Sequence, residues 1–356
     1  MINSNKEIVI TGAAGFIGSR LVEMASHQSW HPLCVIQSFK NLARVGRLPI
    51  HAIQWDMLKD ELPSEIPLES AVVVHMAYTK ALKDELNFKA NVEGTKRLLA
   101  LCEKKKAAHF IYVSSTAVYD EMPSGTDIQE NTVPSIGKEA YGYDKSVIEE
   151  YLKKEAPKLK IPITIIRPAI VYGPFAPAWT IRVYQWIKND VLKAYGKYDG
   201  KCNLSYVDNV TNFILACAKN PNAFGRTYNL VDPCSISWSQ YFAKYEFLLT
   251  KHIQKGRYLP FCIKYKTREM VIKVLKKIFQ LNPQLFRPIR QKAVQKSAAI
   301  GSFLSFSGPD PASIDLFQKI HQYDIDRNYE ILPKEKWVDF EQAWKTLEMY
   351  FEDYSY

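Results

Sequence analysis

The sequence predicts an α/β fold built on a doubly wound parallel sheet. Three observations predict it. Short β-branched apolar runs recur along the first two thirds of the chain, segments with helical spacing alternate with them, and a glycine-rich turn joins the first run to the first helix. Ile8 to Ile10 is the first strand, followed by the turn and by FIGSRLVEMA with helical spacing. Leu33 to Ile36 is the second strand. Ala71 to His75 is a third, an unbroken apolar run of the kind buried on both faces. Val92 to Lys104 is an amphipathic helix, Phe110 to Val113 a strand, and Tyr141 to Lys154 a helix that Pro157 ends. Ile163 to Ile166 is a strand closed by Arg167 and Pro168. This alternation implies right-handed crossovers that cover both faces of the sheet. Beyond Pro168 aromatics and prolines loosen the pattern. Leu204 to Val207, Val210 to Ala218 and Thr227 to Val231 are expected to return as strand, helix and strand, and the remainder is expected to be mainly helical.

Composition narrows the class. At 356 residues, 47% apolar and 24% charged, the chain can bury a large core and reads as soluble and globular. The six cysteines are scattered, with no C-x-x-C pair and no zinc-ligand spacing, so reduced thiols and no metal site are expected. No leader-like apolar segment opens the sequence and no eighteen apolar residues run together, which points to a cytoplasmic protein. The net charge of +10 is local: residues 251–300 hold thirteen Lys/Arg against one acid, Glu269.

Thr11 to Gly18 reads T-G-A-A-G-F-I-G. Gly12 permits a tight turn off the strand, Gly15 lets backbone approach a pyrophosphate, and Gly18 allows close helix–strand contact. Phe16 and Ile17 open the helix, whose positive end faces the phosphates. The strand before it and the helix after it make this a dinucleotide-binding, Rossmann-type loop. Enzymes selective for NAD usually carry Asp or Glu at the end of the second strand. Here Gln37 and Ser38 stand there, with Lys40 and Arg44 close behind to pair with a 2′-phosphate, so the reading is NAD or NADP with a lean to NADP.

Further motifs follow in order: W-D-M at Trp55–Met57, V-V-H-M-A at Val73–Ala77, N-V-E-G-T at Asn91–Thr95, V-S-S-T-A-V-Y at Val113–Tyr119, Y-G-Y-D-K at Tyr141–Lys145, R-P-A-I-V-Y-G-P at Arg167–Pro174, and Y-V-D-N-V at Tyr206–Val210. With the glycine loop they make the chain resemble the extended short-chain dehydrogenase/reductases, which include the NAD-dependent epimerases and dehydratases. The resemblance runs from about Glu7 to Asp232. It implies that Asp56 and Met57 flank the adenine, that Ala77 lies along the cofactor, that Asn91 helps to hold it, and that Pro168 sits near the nicotinamide. It also implies residues 1–168, with 204–231 returning to the sheet, as the NAD(P)-binding core. Residues 169–203 and 232–356 would then form the smaller, mainly helical substrate-binding region. Homodimers are common among such proteins and are expected here.

Hydride transfer at a C–OH carbon needs a proton to leave or join the oxygen. Tyr141 and Lys145 are four apart on a helix and share a face. A free phenol has a pKa of about 10, too high for a base at neutral pH, and a nearby ammonium lowers it. Lys145 can also hold the nicotinamide ribose, and Ser115, at a strand end, can stabilise the oxygen. Catalytic roles are therefore expected for Ser115, Tyr141 and Lys145. Dehydratases that act on sugar nucleotides carry an Asp-Glu pair where this chain has Thr116 and Ala117, so 4,6-dehydration is disfavoured. His75 is expected to be a satisfied core histidine.

Three functions stay open at this point. The first is an epimerase or dehydrogenase acting on a nucleotide-linked sugar. The second is an NADPH-dependent ketone/alcohol oxidoreductase on a lipid-like or polyketide-like substrate. The third is a non-catalytic NAD(P)-binding scaffold. Segment 251–300, with the amphipathic stretch Met270–Leu281, reads as a solvated packing helix, a contact for an anionic membrane surface, or a holder of substrate phosphate. Nucleic acid is not expected as a partner, for no binding motif accompanies the charge.

Overall fold

The computed structural model describes residues 7–39, 45–46, 48, 50–56, 61, 63, 65–79, 84–137, 141–189, 192, 198–254 and 308–354. The strands are β1 (Glu7–Thr11), β2 (His31–Ile36), β3 (His51–Gln54), β4 (Val72–His75), β5 (His109–Val113), β6 (Asp127–Ile128), β7 (Ile163–Pro168), β8 (Ile170–Tyr172), β9 (Leu204–Tyr206), β10 (Thr227–Leu230) and β11 (Gln322–Tyr323). The helices are α1 (Phe16–His27), α2 (Asp84–Lys104), α3 (Tyr141–Glu155), α4 (Arg182–Lys188), α5 (Val207–Lys219), α6 (Trp238–Gln254), α7 (Pro311–Leu316), α8 (Asn328–Ile331) and α9 (Phe340–Asp353).

Seven parallel strands form the central sheet in the order β10-β7-β5-β4-β1-β2-β3. The strand sequence turns back on itself between β1 and β4, the switch point where ligands bind in such sheets. The expected α/β class is therefore the observed one. Successive strand side chains point to opposite faces, which explains why the runs are apolar without alternation. Ile8 and Ile10, Cys34 and Ile36, and Val72 and Val74 pack towards Leu21 and Val22 of α1 and Phe213 and Ile214 of α5. Val9, Leu33, Val73, Phe110 and Tyr112 pack the other way, towards Leu98 and Cys102 of α2 and Ile148 and Leu152 of α3.

Three features depart from the sequence reading. β3 is an added edge strand, whose residues are only exposed or half-buried and so leave no apolar run to read. Leu204–Tyr206 does not return to the sheet: β9 pairs with β8 in a two-stranded sheet, and only β10 of that stretch joins the main one. The boundary at 232 also moves. The described residues of 1–179, 203–235 and 320–354 form one compact unit, and those of 180–202 and 236–319 form another. The C-terminal stretch returns to the first unit because Ile331, Leu332 and Trp337 bury against its core. The second unit has an aromatic core in which Trp238 meets Phe317 at 4.5 Å and Tyr198 meets Phe242 edge-on at 5.3 Å. Residues 255–307, with most of the basic segment, lie outside the described residues.

Two buried polar assemblies tie elements of the first unit together. At the end of β7, Arg167 is fully buried and its guanidinium grips the Glu149 carboxylate of α3 through Nε (2.9 Å) and Nη2. Its Nη1 donates to the Tyr119 hydroxyl and to the Glu130 carbonyl (3.1 Å). Burial alone raises a carboxyl, yet Arg167 holds Glu149 below its ordinary value. Between β1, β4 and α2, His75 joins Thr11 and Thr95. The Thr95 hydroxyl donates to the Asn91 carbonyl (2.7 Å), so it accepts from His75 Nε2 (2.9 Å), and Nδ1 accepts from Thr11 (2.6 Å). Thr11 in turn accepts from the amides of Met76 and Ala77. His75 is thus a satisfied core residue, held neutral by burial with its pKa near 3.

Arg167→Met alone leaves the Glu149 charge buried without a partner and is expected to cost about 3–5 kcal/mol in urea unfolding, whereas the double variant Arg167→Met/Glu149→Leu recovers much of the loss. Equal losses in single and double variants would refute the pairing. The second expectation concerns acid. A folded-state pKa near 3, below the ordinary 6.5, means His75 confers stability above pH 6.5 that disappears as pH falls towards 3. The slope is at most about 1.4 kcal/mol per pH unit, and the difference curve against His75→Leu isolates it.

Candidate active site

The C-terminal ends of β1, β2, β4, β5 and β7 deliver the expected residues to one edge of the sheet. Gly12 has φ of +73°, and a Cβ there would lie 2.8 Å from the Ala77 amide nitrogen. A Cβ on Gly18 would lie 2.2 Å from the Gly12 carbonyl, so only glycine lets α1 start this close to β1. The Gly15 amide donates to the Gly12 carbonyl at 2.9 Å and closes the turn. Gly15 is exposed and caps α1 without any side-chain bond, which leaves the positive end of the helix open.

Two clefts flank that helix start, each of about 310 Å³. The first is lined by Thr11, Gly12 and Gly15 of the loop, Gln37 and Ser38 after β2, Trp55 and Asp56 after β3, Ala77 and Tyr78 after β4, and Asn91. The second is lined by Phe16 and Ile17 of α1, Ser114 and Ser115 after β5, Tyr141, Pro168 and Ala169, and the stretch Ala176–Trp179. The expected residues are therefore divided: Gly12, Gly15, Gln37, Ser38, Asp56, Ala77 and Asn91 face one cleft, and Phe16, Ile17, Ser115, Tyr141 and Pro168 the other. Gly18 faces neither and serves packing. Lys40, Arg44 and Met57 lie outside the described residues.

Asn91 lines the first cleft with its amide already engaged. Its Oδ1 accepts from the Thr79 amide (2.9 Å), and its Nδ2 donates to the Thr79 carbonyl (3.0 Å) and to Asp144 Oδ2 (2.9 Å). It fastens the β4–α2 loop to α3. Ser115 accepts from the Ala117 amide (3.1 Å) and caps the short turn Thr116–Tyr119. α3 packs tightly on that turn, for a Cβ on Gly142 would fall 2.3 Å from the Ala117 carbonyl. Gly142 thereby sets how near Tyr141 stands to Ser115, a role its place inside Y-G-Y-D-K did not disclose.

The electrostatics are asymmetric. Tyr141 keeps 42% of its surface exposed, yet lost solvation pushes its phenol up to about 12, and the Asp120 and Asp144 carboxylates push the same way. Lys145 is buried. Its ammonium donates to the Val113 carbonyl (2.9 Å) and lies over the rings of Tyr112 (4.9 Å) and Tyr78 (5.1 Å). Burial lowers it to about 8, against the pull of Glu149 and Asp144. The sequence reading missed Tyr78, Asp144 and Glu149. Glu149 and Lys145 share a helix face by spacing, and that was the available signal.

This geometry has relatives. The chain is 28% identical over 268 residues, 72% of its length and 76% of the other, to an N-acetyl-alpha-D-glucosaminyl-diphospho-ditrans,octacis-undecaprenol 4-epimerase of Escherichia coli O157:H7. Among solved structures, a UDP-glucose 4-epimerase of Thermotoga maritima, crystallised with UDP-glucose, superposes with a TM-score of 0.66 at 18% identity, covering 98% of this chain and 99% of that one. A UDP-glucuronic acid 4-epimerase of Bacillus cereus in complex with NAD gives 0.65 at 20% identity, covering 98% and 99%. At those identities the structures establish the shared fold. The model of the NAD dependent epimerase/dehydratase family matches residues 8–230, from β1 through β10, and the chain belongs to that family.

Proposed function

We propose that the chain is an NAD-dependent epimerase of a nucleotide-linked or diphosphate-linked sugar, which moves hydride at a C–OH/C=O carbon with Tyr141 as acid and base. One observation carries the reading: Tyr141 and Ser115 line one cleft with Phe16 and Ile17 of α1, while the glycine loop that leads into α1 lines the other. A dinucleotide that crosses a helix N-terminus at its pyrophosphate has its two ends in two such clefts. The cradle fits the group, since Gly12 and Gly15 line the cleft without side chains and no side chain caps α1. Gly12, Gly15, Gln37, Ser38, Asp56 and Ala77 would hold the cofactor. Gln37 and Ser38 line the glycine-loop cleft, and the family description favours NAD over the NADP that Lys40 and Arg44 suggested.

When bound, the cofactor would supply a reversible hydride acceptor. The chain's residues manage the proton. The Tyr141 phenol carries its proton at neutral pH and donates it readily to a developing alkoxide. As a base it needs positive charge nearby, which Lys145 supplies from one helical turn away. Ser115 adds a hydroxyl beside the same oxygen. Thr116 and Ala117 offer no carboxyl group, in keeping with epimerisation rather than 4,6-dehydration. The other expected roles stay with this reading: residues 169–203 and 232–356 as substrate-binding region, within which the described residues of 180–202 and 236–319 make up the second unit, and the basic segment as a contact for substrate phosphate or an anionic surface.

A second reading has its own support. Apart from Ser114, Ser115 and Tyr141, the Tyr141 cleft is lined by Phe16, Ile17, Pro168, Ala169, Val171 and Ala176–Trp179, an apolar wall suited to a lipid-like ketone.

The nicotinamide content of the purified protein, identified by mass after denaturation, separates the readings. Near-stoichiometric NAD is expected for an epimerase. An empty site that takes up NADPH favours the reductase, and binding of neither overturns both. Tyr141→Phe is expected to lower turnover about 10²–10⁴-fold while nucleotide affinity stays within threefold, and a fully active variant removes Tyr141 from the mechanism.

A further inference from the structure

Lys145 has a burial problem. Its ammonium is taken out of water beneath the site, and the one hydrogen bond recorded for it goes to the Val113 carbonyl at 2.9 Å. Isolated charges are not kept in such places without compensation. Further compensation comes from the Glu149 and Asp144 carboxylates and from two ring faces. Tyr112 approaches from β5 at 4.9 Å and Tyr78 from the β4–α2 loop at 5.1 Å, both within the range of a cation–π contact.

Tyr78 differs from Tyr112 in what else it touches. Its ring meets the Tyr141 ring edge-on, with centroids 5.0 Å apart and planes at 79°. Its hydroxyl donates to Asp144 Oδ2 at 3.2 Å, the oxygen that also accepts from Asn91. Its backbone sits between two fixed points: Thr11 receives the Ala77 amide, and Asn91 clamps Thr79. The ring is half-buried and lines the glycine-loop cleft. One side chain thus touches the acid/base, the cation and the carboxylate that opposes it.

We propose that Tyr78 is a positioning residue for the Tyr141–Lys145 pair: its ring face holds the Lys145 ammonium, its ring edge braces the Tyr141 phenol, and its hydroxyl ties Asp144 to the loop. The inference rests on the role given above to Lys145 in holding the cofactor. A ring face stabilises the ammonium and not the neutral amine, so Tyr78 works against the burial that lowers Lys145. The other groups around Lys145 are Glu149 and Asp144 on its own helix, Tyr112 on β5 and neutral His75 on β4. The carboxylates favour the ammonium, and of these groups Tyr78 bonds Asp144, whose hydrogen bond from the Tyr78 hydroxyl is lost alike in Tyr78→Phe and Tyr78→Leu, so the two variants differ in the ring alone.

The test is NADH affinity of the intact protein as a function of pH, from 6 to 10, by fluorescence. Wild type should lose affinity along an alkaline limb as Lys145 gives up its proton, and Lys145→Met should lack that limb. Tyr78→Leu keeps an apolar neighbour without the ring quadrupole, so its limb should move down by about half to one pH unit. Tyr78→Phe keeps the ring and should leave the limb within about 0.2 units of wild type, the scale of a contact left in place. A limb absent in Lys145→Met but unmoved in Tyr78→Leu overturns the role of Tyr78 alone. A limb that persists in Lys145→Met, or no NADH binding by wild type, overturns the Lys145 assignment and the inference with it. A Tyr78→Leu protein with a lower Tm but an unmoved limb shows a merely structural residue and sinks the proposal.

Discussion

The site depends on the ion pair between Arg167 and Glu149. Arg167 is the last residue of β7 before Pro168, and Glu149 lies two helical turns beyond Tyr141 on α3. Joining them fixes both where α3 sits along the sheet and which of its faces turns inward. Lys145 lies one turn from Glu149, so the rotation that brings Glu149 to Arg167 also brings Lys145 under the sheet edge. Such a pair adds little net stability over an apolar packing of the same volume. What it adds is register, since an apolar contact tolerates sliding and a two-pronged guanidinium–carboxylate contact does not.

The register matters because the second constraint is steric. Gly142 lets α3 begin against the turn that Ser115 caps, and a slip of α3 would put a side chain into the Ala117 carbonyl. Ion pair and glycine contact therefore agree on one placement of the helix. The glycine loop solves the same problem for α1: Gly18 permits the approach and Gly12 the turn. Both helices begin at the sheet edge without bulky side chains at their points of contact, and the cleft lined by Phe16, Ile17 and Tyr141 opens between those starts.

Much of this was legible in the sequence, and the limits were physical. Apolar runs marked five of the six strands of the sheet that precede β10, because buried parallel strands need no alternation. β3 escaped because an edge strand buries little. β9 was read as joining the main sheet because a three-residue apolar run carries no sign of its partner. Glycines were legible by spacing at Gly12 and Gly18, where the motif has a steric cause, and not at Gly142, where the cause is a contact with a distant turn. Asn91 shows the same limit. Its type and place suggested a cofactor contact, but its amide is spent on Thr79 and Asp144, partners that only the folded chain brings near. Lys40, Arg44 and Met57 lie outside the described residues, so their part of the reading stays with the sequence.

The charges around Tyr141 tell against a permanently ionised phenol. Asp120 and Asp144 both raise it, and the nearby cation is held beneath the sheet edge by Val113 and two aromatic faces. The acid and base proposed at Tyr141 is poorly served by an environment that fixes it in one state. Here burial and the fixed carboxylates hold the proton on, and burial lowers the neighbouring Lys145 to about 8. Proton release at Tyr141 is therefore sensitive to any further positive charge brought into the clefts, which would link the proposed chemistry to occupancy through the field at one oxygen.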